Sequence, residues 1–217
     1  FDTADAYGNA EEILGKVIKP FRNKVIVSTK VGVKNNTKPK LSYDYIKSAC
    51  ENSLQNLKTD YIDIYNVHFD DPDTPIEETI GALEDLVKEG KIRKYGLGHL
   101  PKEKVIKYIE EGNIFSILME LSAISRNSSE ELLPLCREKN VGGIAFSVTG
   151  RGLLTGKYDE NNKFEKGDIR NLDPQFQKER LEFSLKITNK LKEIGKRNEM
   201  SSVQVAIAWV LSQKGII

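Results

Sequence analysis

Four side chains suited to proton chemistry stand where apolar stretches end: Asp2, Tyr7, Lys30 and His68. Asp2 follows the opening Phe1, and Tyr7 comes five residues later, just before Gly8. Lys30 closes a β-branched run, VIVST, and His68 closes YIDIYNV. A lysine at the end of an apolar strand is costly to bury unless it is paired, and Asp2 is the candidate partner. An ammonium beside a tyrosine stabilises the phenolate left after proton transfer, so Tyr7 could serve as a general acid. A neutral His68 nearby could hydrogen-bond and orient a carbonyl oxygen, and together the groups would stabilise charge growing on that oxygen. Each residue alone has a simpler reading. Tyr7 could be a turn aromatic, Lys30 a rim lysine, His68 a hydrogen-bonded structural histidine and Asp2 a cap. What singles them out is that all four fall at strand ends in consecutive units.

The elements that must position them alternate in type. Strands are predicted at 24–32, 61–68, 91–99, 114–121 and 141–148, with the opening FDTA as a further strand and the final GII as the start of another. Helices are predicted at 42–58 with Ser42 as N-cap, 75–90 between Pro75 and Gly90, 101–112, and 128–140 with Ser128 as cap. A polar stretch follows at about 156–175, then helices near 176–198 and 201–214. Strands alternating with helices argue for a parallel sheet with helical crossovers, as a (β/α)8 barrel or an open doubly wound sheet. No glycine-rich dinucleotide fingerprint follows any strand, which favours the barrel. In a barrel the chemistry sits at the C-terminal ends of the strands, where these four residues and His99 fall.

Composition narrows the function classes. The chain has 217 residues, 39% hydrophobic and 30% charged, which suits one large globular domain, taken here as residues 1–217. A net charge of +1 gives no basic face for nucleic acid and no attraction to an anionic membrane. Two cysteines, Cys50 and Cys136, and two histidines offer neither a disulfide framework nor a thiolate metal site; a reducing cytoplasm is the expectation. No stretch is long and apolar enough to span a membrane, no targeting peptide is visible, and nothing sets an oligomeric state.

Taken in order, FDTADAYGNAEEILGK, VIVSTKVG, DYIDIYNVH, LVKEGKIRKYGLG, GRGLLTGKY and SSVQVAIAWVLSQKG resemble successive signature blocks of the aldo-keto reductase superfamily. With the GDIR segment (167–170), they resemble its prokaryotic branch. The resemblance implies an α/β fold, a (β/α)8 TIM barrel, that binds NADPH, or less often NADH, and needs no metal. It implies a reversible oxidoreductase acting on a small-molecule carbonyl substrate, an aldehyde or ketone. By position, the catalytic tetrad would be Asp2, Tyr7, Lys30 and His68, with Tyr7 as the proton donor. The cofactor would meet Phe146, Ser147, Val148, Thr149 and Gly150, with Lys157 and Arg170 as outer cations. A cofactor-binding regulatory subunit of the same fold is the alternative the family allows.

Departures from the family pattern cluster at the nicotinamide. The usual Ser-Asn pair is Gly98-His99; the glutamine expected on the next strand falls at Leu118; the Tyr-Asn after it is Leu121-Ser122; and the proline after Ser147 is Val148. Gly98 supplies no hydroxyl, while His99 retains a hydrogen-bonding side chain. By the family's plan a strand precedes Phe1 and another follows Ile217, so a barrel incomplete at both ends is expected of these residues alone.

Overall fold

The strands fall on the predicted apolar runs, and all but the second are shorter than the apolar pattern suggests. The computed structural model describes residues 1–33 and 38–217. It divides into two compact units, Phe1–Leu118 and Met119–Ile217. Among the described residues there are five strands: β1 (Ser28–Val31), β2 (Ile62–Phe69), β3 (Ile92–His99), β4 (Ser116–Glu120) and β5 (Gly142–Phe146). Seven helices accompany them: α1 (Ala10–Ile18), α2 (Tyr43–Leu57), α3 (Ile76–Lys88), α4 (Lys102–Glu111), α5 (Asn127–Lys139), α6 (Lys178–Arg197) and α7 (Ser202–Leu211). This is the α/β class expected, with parallel strands consistent with part of a (β/α)8 barrel.

In the first unit, β1 pairs with β2 in the register Lys30↔Asn66, and β2 pairs with β3 through Asn66↔Gly96. β3 pairs with β4 at Gly96↔Ser116. All four residues of β1 are buried. Because side chains alternate along a strand, Ser28 and Lys30 share one face and Thr29 takes the other. Thr29 donates from Oγ1 to Glu11 of α1 at 2.7 Å, and Asn56 of α2 donates to the other oxygen of the same carboxylate at 3.0 Å. One buried glutamate thus ties two helices and a strand together. The apolar faces of α2 and α3 pack Ile46, Leu54, Leu57, Leu83 and Leu86 into the core with Tyr65 and Leu97.

Several boundaries differ from expectation for local reasons. The 24–32 segment begins its strand only at Ser28, because residues 19–24 form a 3-10 turn held by Arg22, which donates to the carbonyls of Val25 and Tyr61. The opening FDTA makes one parallel bridge, Asp2↔Ser28, which is too short for a strand. Ser42 does precede α2 in extended conformation, but its hydroxyl takes no capping bond; Glu78 accepts from the Tyr43 N–H at 2.8 Å instead. α2 closes on Lys58 in the left-handed region (φ 53°), with Thr59 N–H reaching the Leu54 carbonyl.

In the second unit, α5 begins at Asn127 with Arg126 as its cap, so Ser128 lies inside the first turn. The Leu121 N–H meets the Phe146 carbonyl at 3.2 Å. The final GII contributes a parallel bridge, Gly143↔Ile216, and no strand. The core here is Ile124, Leu153, Leu154, Phe176, Leu191 and Ala206. The predicted 176–198 helix starts at Lys178, after a 3-10 turn (Pro174–Phe176) capped by Asp173. The last helix stops at Leu211, and its start is fixed by a capping box between Ser201 and Gln204. Cys50 and Cys136 are buried thiols, one in each unit. Among the described residues no helix is long and apolar enough to cross a membrane.

Candidate active site

The first unit gathers the four sequence-selected residues at one end of β1 and β2. Lys30, on the inward face of β1, is 4% exposed. Its Nζ donates to Asp2 Oδ2 at 2.6 Å and to the Thr3 carbonyl at 2.7 Å. The burial that made this lysine suspicious is therefore offset by a carboxylate and a carbonyl, both from the segment just before the first turn. That turn brings Tyr7 back: its N–H meets the Ala4 carbonyl at 3.1 Å, and Gly8 follows at φ 58°, a conformation that side chains disfavour. The phenol is 49% exposed, and its ring centre stands 5.0 Å from Lys30 Nζ. His68, two places beyond Asn66 on β2, meets the Tyr7 ring edge-on at 5.9 Å.

His68 is 5% exposed, and its Nδ1 has no protein partner among the described residues. Burial first, then the Lys30 ammonium and His99, push its pKa down to about 4. The imidazole is therefore neutral at physiological pH, with one N–H to donate. This has a measurable consequence. The unfolded chain takes up the proton near pH 6.5 while the folded chain resists to about pH 4, so stability falls as pH drops through that window. The loss attributable to His68 is on the order of 3 kcal/mol. His68→Gln should lose less stability than wild type between pH 7 and pH 4 in urea titrations; equal losses in both would show that His68 does not titrate this way.

His99 ends β3 at 6.1 Å from His68, ring to ring, and stacks on Phe69 at 4.8 Å. Its pKa is also lowered, by burial and then by Lys30. Gly98 is buried against β2: a Cβ there would lie 2.5 Å from the His68 carbonyl oxygen and 2.6 Å from that of Val67. Strand spacing here leaves room only for glycine, which accounts for the missing hydroxyl. Leu118 is buried at the end of this unit.

The second unit carries the other candidate contacts. Phe146 ends β5, and Ser147 opens the following loop at φ 53°. The loop continues through Gly150 (φ 57°), whose N–H meets the Ser147 carbonyl at 2.7 Å, and its Cβ position is blocked by Ile124 at 2.5 Å. Ser147, Val148 and Thr149 are half-buried and Lys157 is exposed. Ser147 and Thr149 carry hydroxyls and Lys157 an ammonium, side-chain types that can donate to phosphate oxygens. Arg170 is already engaged: it pairs with Asp168 and donates to Tyr158 OH, and its guanidinium lies 4.3 Å from the centre of the Phe164 ring. Ser122 Oγ accepts from the Ser125 N–H at 3.1 Å in a tight turn, and Leu121 beside it is fully buried.

The sequence profile of the Aldo/keto reductase family matches residues 1–217. The chain belongs to that family. Among curated proteins it is similar to aldo-keto reductase YhdN of Bacillus subtilis, 38% identical over 222 residues, covering 99% of this chain and 67% of that one. It is also similar to probable aldo-keto reductase 1 of Glycine max, 36% identical over 220 residues, covering 98% of this chain and 63% of that one. The chain thus spans about two thirds of the length of these aldo/keto reductases. Among solved structures it superposes on a glycerol dehydrogenase from Gluconobacter oxydans with a TM-score of 0.91 at 31% identity, covering 100% of this chain and 69% of that one. The holo form of an aldo-keto reductase from Bacillus halodurans gives 0.78 at 31% identity, covering 99% and 69%.

Reading strand ends alone passes over two members of the Lys30 surroundings. Ser28 donates from Oγ to Asp2 Oδ1 at 3.0 Å, and Asn66 donates from Nδ2 to Ser28 Oγ at 3.0 Å. The signal available in the sequence was their spacing: each lies two residues before a selected residue, Lys30 or His68, and so shares its face of the strand.

Proposed function

We propose that this chain carries the proton-donating site of an NAD(P)H-dependent carbonyl reductase, which reversibly reduces an aldehyde or ketone to an alcohol. The observation that carries this reading is the buried Lys30 paired with Asp2 at 2.6 Å, with the exposed Tyr7 ring 5.0 Å from the ammonium. Lys30 holds positive charge beside the phenol, and Asp2 with the Thr3 carbonyl keeps that charge in place. Tyr7 gives its proton to the substrate oxygen, and Lys30 stabilises the phenolate that remains. Neutral His68 donates a hydrogen bond to the same oxygen and fixes its direction.

Bound NADPH, or NADH, supplies the hydride. Phe146, Ser147, Val148, Thr149 and Gly150 would hold the cofactor in the second unit, with Lys157 at its phosphates. Arg170 would join them only after giving up Asp168. Gly98 and His99 would face the carboxamide in the first unit, with His99 as the side-chain donor. Both buried cysteines are compatible with a cytoplasmic protein.

The decisive assay is oxidation of NADPH and of NADH by the full-length protein with a panel of small aldehydes and ketones. Glycerol oxidation is the reverse assay, chosen because one similar structure is a glycerol dehydrogenase. Turnover with either cofactor is expected. Binding of NADPH with no turnover on any carbonyl would replace this reading with that of a regulatory subunit.

A further inference from the structure

Lys30 is held by Asp2 through one carboxylate oxygen, Oδ2, at 2.6 Å. The other oxygen, Oδ1, accepts from Ser28 Oγ on β1 at 3.0 Å, so a second contact fixes the carboxylate. We infer that Ser28 and Asn66 are positioning residues, a hydrogen-bonded chain across two strands that aims Asp2 at Lys30; the inference rests on the carbonyl-reductase reading above.

The chain has a forced direction. Asn66 is fully buried, and its Nδ2 donates to Ser28 Oγ at 3.0 Å and to the Thr29 carbonyl at 3.3 Å. Two acceptors on one nitrogen fix which end of the carboxamide is the NH2. Ser28 Oγ, receiving that bond, has a single proton left to give, and Asp2 Oδ1 at 3.0 Å takes it. Asp2 accepts from Ser28 on one oxygen and from Lys30 on the other, so its plane is set from both sides. Successive bonds of one polarity strengthen each other in a poorly solvated interior. The other end of the amide shows what this arrangement requires. Asn66 Oδ1 is buried with no protein partner among the described residues, so the donor end is the one the fold satisfies.

Gly96, the cross-strand neighbour of Asn66, belongs to the same device. A Cβ on it would sit 2.5 Å from Asn66 Oδ1 and 2.6 Å from Ser116 Oγ, so a side chain there would displace the amide. The pattern Ser28-x-Lys30 on β1 facing Asn66-x-His68 on β2 therefore couples two layers. The outer layer meets the substrate, and the inner layer holds the outer one in place.

The test uses the full-length protein, with kcat, KM for the carbonyl and cofactor Kd measured for Ser28→Ala, Ser28→Thr, Asn66→Leu, the Ser28→Ala/Asn66→Leu pair, and Tyr7→Phe. Ser28→Ala should lower kcat about tenfold, the value of one hydrogen bond to a charged group, and leave cofactor Kd and carbonyl KM within about twofold. Ser28→Thr, which keeps the hydroxyl, should recover most of the loss. Asn66→Leu also loses the bond to the Thr29 carbonyl, but on this inference it lowers kcat through Ser28, so the pair should be no slower than Ser28→Ala alone. If the losses multiply, or if Ser28→Ala and Asn66→Leu change thermal stability but leave kcat untouched, the two residues are structural and the inference is overturned. If an aggregating variant removes one arm, the contrast between Ser28→Thr and Ser28→Ala still decides. Tyr7→Phe separates the two levels of the argument: wild-type turnover there overturns the reading of the site, whereas an inactive Tyr7→Phe beside a fully active Ser28→Ala overturns only the chain.

Discussion

Replacing Tyr7 with Phe in the full-length protein should lower turnover by at least about 10²–10⁴-fold while NADPH still binds. The substitution removes one oxygen from a ring that is half exposed and makes its recorded contacts through its π-face and edge. Packing changes little, so folding is not the variable. What disappears is the phenol whose ring centre stands 5.0 Å from the Lys30 ammonium and 5.9 Å from the neutral His68. Lys30 cannot take over as the acid without giving up the charge that holds Asp2. His68, whose pKa is near 4, carries no second proton at neutral pH. A fluorescence titration with NADPH and a steady-state assay would read both halves of the prediction. Retained turnover would remove Tyr7 from the chemistry.

At the opposite end of β2, Asp63→Ala should destabilise the fold by about 3–5 kcal/mol, the usual result of breaking a buried pair by deleting one partner. Asp63 Oδ2 takes the Arg22 guanidinium at 2.7 Å and the Val27 N–H at 3.0 Å, and both side chains of the pair are only about a tenth exposed. Deletion strands Arg22 among neutral acceptors, namely Thr59 Oγ1 and the carbonyls of Val25 and Tyr61, and leaves a buried N–H unsatisfied. Arg93 also approaches Asp63, at 3.5 Å, but its side chain is 60% exposed. Arg93→Ala should therefore cost less than about 1 kcal/mol. Both guanidinium groups lie 4.1 Å from the centre of the Tyr61 ring, so the cluster pins the segment entering β1 to the start of β2. Urea titration of the two variants checks the contrast, and equal costs would refute it. Asp63 is five residues from His68, about 16 Å along the strand, so the Asp63→Ala protein that remains folded should keep its kcat.

Much of this was legible from residue order. Short runs ending in ionisable groups, β-branched in the case of β1, marked β1 to β3, and the helices between them follow from apolar spacing with Pro75 and Gly90 as punctuation. The Asp2–Lys30 pairing could be anticipated, because an apolar strand cannot end in a buried ammonium without a counter-charge. Boundaries were harder. Val25 and Ile26 have strand composition, yet β1 starts at Ser28 because Arg22 claims the Val25 carbonyl for a turn. Ser42 stands where a cap belongs, but Glu78, from a helix about 35 positions on, supplies the acceptor. In the first case a side chain three residues away, and in the second one 35 residues away, outcompeted the local preference.

By itself, then, the sequence determined the residue types at the strand ends, the alternation of strand and helix, and so which groups could share one end of a parallel sheet. Those follow from periodicity and from the cost of burying charge, which are local rules. Only the tertiary structure decided who holds whom. Ser28 and Asn66 are ordinary polar residues until β1 and β2 pair in the register Lys30↔Asn66, which sets their side chains 3.0 Å apart. Gly98 is an unexplained departure until the neighbouring strand shows that a Cβ would sit 2.5 Å from a carbonyl oxygen. Arg170 is an isolated cation in the sequence until Asp168 and two aromatic rings are found around it. Hydrogen bonds and close packing depend on angstroms between segments far apart in the chain, and that information exists only once the strands have chosen their register.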